Sequence, residues 1–151
     1  MIEVISLDKT LKKRALDKSI VSDKNSTSWI DLTSPTREEL KQIQQIFSLH
    51  KTTAEDFFPS RTRPKIEQFA NYNVIVFYGI KIENEKIIPE EIVTVVAKNY
   101  VITSRHTKVE SIDKIKEDKE RLTELLKQGP EFLLHALMER TIENYFQTIE
   151  T

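Results

Sequence analysis

The chain has 151 residues, 38% of them hydrophobic and 31% charged, with a net charge of −1 and no cysteine. That length builds about one domain able to bury most of its apolar surface, the near-zero charge leaves no footprint for nucleic acid or an anionic membrane, and the lack of thiols excludes disulfide scaffolds, thiolate zinc sites and cysteine nucleophiles. Glu3 and Asp8 interrupt the first apolar run, so no signal peptide is expected, and the longest such run, VIVFYGI at 74–80, is far shorter than the roughly 20 residues of a bilayer span.

Residues 1–7 and about 16–22 read as short strands, followed by a polar turn cluster, DKNSTS, at 23–28 and a short apolar strand, WIDL, at 29–32. Ser34 before Pro35, or Thr36 three residues before Glu39, can cap a helix, and Leu40, Ile43 and Phe47 recur at helical spacing, which predicts an amphipathic helix over 36–47. A second short helix runs from His50 to Phe58 and is closed by Pro59. Pro64 opens extended chain: KIEQFA alternates, residues 71–72 turn, and the β-branched and aromatic run at 73–80 follows. Residues 91–98 and 100–106 form a further strand pair joined through Asn99. From 108 onward the period is helical, with Val109, Ile112, Ile115, Leu122 and Leu125 inward and Glu110/Lys114 and Glu117/Arg121 spaced for i,i+4 pairs. Gly129 and Pro130 break that helix and begin the last one, which runs to the end. Strands early and helices concentrated late predict an α/β (α+β) domain, a layered α/β/α sandwich around a mixed sheet.

Chemistry is sparse. The two glycines, Gly79 and Gly129, cannot make a glycine-rich phosphate loop. His50, His106 and His135 show no metal-ligand spacing, although His135, Glu139 and Glu143 fall at i, i+4 and i+8 on one helical face. The most distinctive cluster is the acidic pair Glu55 and Asp56, set against Phe57 and Phe58 and followed by Arg61, Arg63 and Lys65. It reads as a helix end with local ion pairs, Asp56 to Arg61 or Arg63, or alternatively as a phosphate clamp made by the basic residues. No nucleophile elbow or aromatic cleft accompanies the carboxylates, so catalysis is not expected.

Five separated segments say more together. WIDL at 29–32, FSLHKTTAEDFF at 47–58, RPKIEQFANYNVIVFY at 63–78, KNYVITSRH at 98–106 and FLLHALMERTIENYFQTIE at 132–150 resemble, in order and spacing, the cytoplasmic N-terminal domain of the CorA family of divalent-cation channels and transporters. The resemblance covers roughly residues 28–151 and implies a single domain over 1–151, truncated before a stalk and membrane helices that carry a Gly-Met-Asn pore signature. It implies a homopentamer for the full-length protein, this portion being monomeric or weakly associated and attached to the membrane only through the missing helices. It also implies a regulatory Mg²⁺ ligand at Asp56 facing an acid on the neighbouring stalk helix, and a weaker second site from Glu55 and Glu139; Co²⁺ is an alternative cation. The chain departs from the family pattern at Lys51, often proline, at Glu139, usually the shorter aspartate, and at Asn144, commonly acidic. The alternatives are the zinc-transporting branch, toward which His135 with Glu139 tilts, and an unrelated small soluble enzyme or phosphate-binding module.

Overall fold

The computed structural model describes residues 1–58 and 63–150. Along the chain come β1 (Ile2–Leu7), β2 (Leu11–Lys13), α1 (Ser19–Ser22), β3 (Thr27–Thr33), α2 (Arg37–Phe47), α3 (Lys51–Asp56), β4 (Lys65–Gln68) and β5 (Asn73–Glu83). They are followed by β6 (Lys86–Val96), β7 (Tyr100–Arg105), α4 (Glu110–Glu117), α5 (Lys119–Gln128) and α6 (Pro130–Glu150). The strands form one sheet in the order β2-β1-β3-β7-β6-β5-β4, with β3 and β7 parallel and the other neighbours antiparallel.

The period-two alternation of side chains sends each strand to two cores. On β3, Ile30 and Leu32 pack with Leu40, Ile43 and Phe47 of α2 on one face. Trp29 turns to the other face, among Ile112 of α4, Leu122 of α5 and Leu133 of α6. Helices therefore cover both sides of a mixed sheet, which is the expected α/β/α sandwich. The capping box that marks the start of α2 is present in full: Thr36 Oγ1 accepts from the Glu39 N–H at 3.1 Å, and Glu39 accepts from the Thr36 N–H at 3.0 Å. Thr36→Ala is expected to cost about 1 kcal/mol of stability, read from the urea midpoint, with Thr36→Ser close to wild type.

Two expectations about local structure are corrected, the strand at 16–22 and the unbroken helix from 108. Residues 16–22 do not form a strand: Asp17 accepts from the Ser19 N–H at 2.8 Å, and this turn leads into α1. Leu11–Lys13 forms the edge strand beside β1, after a turn in which Asp8 accepts from the Thr10 N–H at 3.1 Å. The strand runs at 73–80 and 91–98 are two arms of one long hairpin, closed by Asn84 and Glu85 at φ 52° and 65°. Two successive left-handed residues give the twist that a two-residue hairpin turn requires. The helix expected from 108 to 128 is broken at Asp118, which caps α5 by accepting from the Arg121 N–H at 3.2 Å. The break puts Glu117 and Arg121 in different helices, and no ion pair joins them among the described residues, whereas Glu110 and Lys114 pair at 2.6 Å.

Candidate cation site at the end of α3

α3 is only six residues long, too short to hold by itself, and tertiary bonds hold it. His50 caps it, its Nδ1 accepting from the Thr52 N–H at 3.2 Å. The Tyr72 hydroxyl, brought in by the turn before β5, accepts from the His50 N–H at 2.8 Å and shares a 2.9 Å hydrogen bond with buried Thr53. Phe69 stacks on Tyr72 with ring centroids 4.8 Å apart. At the other end Phe57 is fully buried in the α2 core, and His106 Nε2 donates to its carbonyl at 2.9 Å. Phe58, by contrast, is exposed, so a single ring anchors the helix end. Pro59, expected to close the helix, and Arg61, an expected partner of Asp56, lie outside the described residues.

This framework holds Asp56 as a buried carboxylate. Its partner among the described residues is Lys65, not Arg63, which is exposed. Lys65 opens β4, where it and Glu67 lie on the same side of the strand, and Lys65 Nζ reaches both Asp56 oxygens at 2.9 Å and Glu67 at 3.2 Å. Only Oδ1 receives a hydrogen bond of good geometry; Oδ2 is buried without one, ion-paired at a poorer angle. The hydrogen bond to Asp56 raises the Lys65 pKa above its ordinary value, against desolvation and with help from Glu67. Lys65 is thus committed to carboxylates, which removes it from any phosphate clamp.

Glu55 is exposed beside Asp56. Glu139 is exposed on α6, with His135 Nδ1 at 3.7 Å from its carboxylate. α3 packs on the α2 face of the sheet and α6 on the opposite face, so one chain does not bring Glu55 and Glu139 together. Among the described residues no three acidic or histidine side chains stand close enough to hold a metal ion, His135, Glu139 and Glu143 included.

A charged network absent from the sequence reading lies under α4. Asp31, 2% exposed on β3, accepts from Thr103 Oγ1 at 2.8 Å, from Arg105 at 2.9 Å and from Lys116. Trp29 Nε1 donates to the same Thr103 at 2.9 Å. Arg105 continues to Asp113 at 2.8 Å, and Lys116 to Glu3 at 2.7 Å. The signal for it is an aspartate inside the apolar run WIDL, a position that burial forces to find cationic partners. Through these ion pairs the network ties α4 to the sheet.

A family model described as CorA-like Mg²⁺ transporter protein matches residues 24–151. The cobalt/magnesium transport protein CorA of Thermotoga maritima is 24% identical over 132 residues, covering 85% of this chain and 38% of that protein. The magnesium transporter ALR1 of Saccharomyces cerevisiae is 24% identical over 128 residues, covering 83% of this chain but 15% of its own. The soluble domain of CorA from Methanocaldococcus jannaschii shares the fold over 99% of this chain and 58% of that one, at a TM-score of 0.78 and 20% identity. The chain therefore spans well under half the length of these two transporters, and no described helix is long and apolar enough to cross a membrane.

Proposed function

The chain belongs to the CorA-like family of Mg²⁺ transporter proteins, and from that premise we propose that it is the cytoplasmic, Mg²⁺-sensing part of a divalent-cation transporter of the cell membrane. The observation that carries this reading is the state of Asp56. It is a buried carboxylate at a helix end pinned from both sides, with one oxygen lacking a hydrogen bond and exposed Glu55 next to it. Mg²⁺ suits such a group, because it keeps several waters and takes one or two carboxylates rather than a full protein cage. Co²⁺ is the alternative cation.

The cation lies between copies. Asp56 supplies one carboxylate and a neighbouring subunit supplies the facing one. Two carboxylates about 6 Å apart repel by roughly 3 kcal/mol at an effective dielectric near 20, and a dication between them reverses that sign. Repeated around a homopentamer, a few kcal/mol per interface biases a closed against an open assembly. A second site from Glu55 and Glu139 likewise needs two copies, since the sheet separates these residues within one chain. No catalytic step belongs to this function.

The test is Asp56→Asn in the complete transporter. Limited proteolysis with and without Mg²⁺ is expected to show that the variant loses most of the Mg²⁺-dependent protection while folding normally. Protection equal to wild type would make Asp56 only the structural partner of Lys65.

A further inference from the structure

The far half of the β5–β6 hairpin and α4 enclose a groove of about 740 Å³ on the opposite face of the sheet from Asp56. Glu90 of β6 forms its floor. It faces Gly79 on β5, and the missing side chain there leaves space that Thr141 of α6 and Glu90 itself fill. Glu90 is only 9% exposed, yet it has no hydrogen bond or ion pair among the described residues. Such a carboxylate is costly to bury unless something supplies the missing charge. Burial indeed pushes its pKa up, against the pull of Lys81 and Arg105 and with repulsion from Glu110.

The opposite wall, α4, carries three carboxylates and Lys114. Glu110, Asp113 and Glu117 fall at i, i+3 and i+7 along α4 and all line the groove. Glu110 is occupied by Lys114 at 2.6 Å, and Asp113 gives one oxygen to Arg105 at 2.8 Å. That leaves Glu117 and the second Asp113 oxygen uncommitted. Lys81 and Lys108 also line the groove, but neither closes on Glu90 to within ion-pair distance. The carboxylates are too dispersed to cage a bare ion directly. An ion that keeps its water shell has no such need: six waters occupy about 180 Å³ at roughly 30 Å³ each, well inside the groove.

We propose that this groove binds a hydrated divalent cation, with Glu90 as its principal carboxylate and Asp113 and Glu117 reaching it through water. The site lies within one chain. It depends on neither Asp56 nor a neighbouring subunit, so it stands or falls separately from the reading above.

Mn²⁺ titrated into the ¹⁵N-labelled chain is the probe, read by paramagnetic broadening of amide signals and competed with Mg²⁺. Broadening is expected around Gly79, Glu90 and Asp113–Glu117, and Asp56→Asn should leave it in place. Glu90→Gln removes the buried charge without changing shape, so its metal-free Tm should equal or exceed wild type, while Mn²⁺ affinity at the groove falls about tenfold or more. Lys81→Met, which removes a competing charge, should tighten it several-fold. Broadening that persists in Glu90→Gln, that centres elsewhere, or that Lys81→Met leaves unchanged overturns the assignment.

Discussion

Asp31→Ala is expected to destabilise the fold by about 3 kcal/mol or more, measured by urea unfolding. Removing one partner of a buried ion pair costs roughly 3–5 kcal/mol because the remaining charge stays buried and unmatched. Here two cations lose their shared anion, Arg105 at 6% side-chain exposure and Lys116 at 18%. Each keeps one other contact, Arg105 with Asp113 and Lys116 with Glu3, which places the expected cost toward the lower end of that range. Thr103 also loses its acceptor, although it still receives the Trp29 N–H. Asp31→Asn keeps the shape and an acceptor for Thr103, so it should cost less. A loss below about 1 kcal/mol for the alanine variant would mean that the network contributes no more than an exposed pair.

Lys65→Met is expected to shift the cation response in the opposite direction from Asp56→Asn. In the assembled transporter it should lower the Mg²⁺ concentration that gives half-maximal protection from proteolysis by about tenfold. Lys65 Nζ lies 2.9 Å from both Asp56 oxygens and therefore competes with any dication for the same charge. A single and a double positive charge about 5 Å apart repel by roughly 1.7 kcal/mol even at the dielectric of water, and about 1.4 kcal/mol is a factor of ten in affinity. Methionine retains the apolar stem while deleting the ammonium. An unmoved or raised midpoint would remove Asp56 from the ligand role.

How far the sequence discloses these features depends on whether the signal is local. α2 is legible because Thr36 and Glu39 cap it directly before the Leu40, Ile43 and Phe47 stripe. The short helix carrying Glu55 and Asp56 is legible too, but the partner of Asp56 is not. Three basic residues follow it at alternate positions, so parity cannot choose among them, and Lys65 is distinguished only by opening β4. The β5–β6 turn escapes notice because it uses Asn84 and Glu85 without the glycine that usually marks such turns. Glu90 is the hardest case. It stands beside Glu91 in the sequence, and its burial becomes apparent only because it shares strand parity with core residue Ile92 and faces Gly79. Asp118 is legible only in retrospect, since the charged stretch around it continues the helical pattern on both sides.

The β5–β6 hairpin reaches beyond its neighbour in the sheet. β7 pairs with β6 only over Val93–Val96, so the stretch from Lys86 to Ile92 has β5 on one side and an open edge on the other. An open edge invites a strand from another molecule. Pro89 sits in the middle of that stretch and has no N–H to offer. With Ile87 exposed two residues before it, this imide withholds one of the donors that a strand docking from another molecule would need.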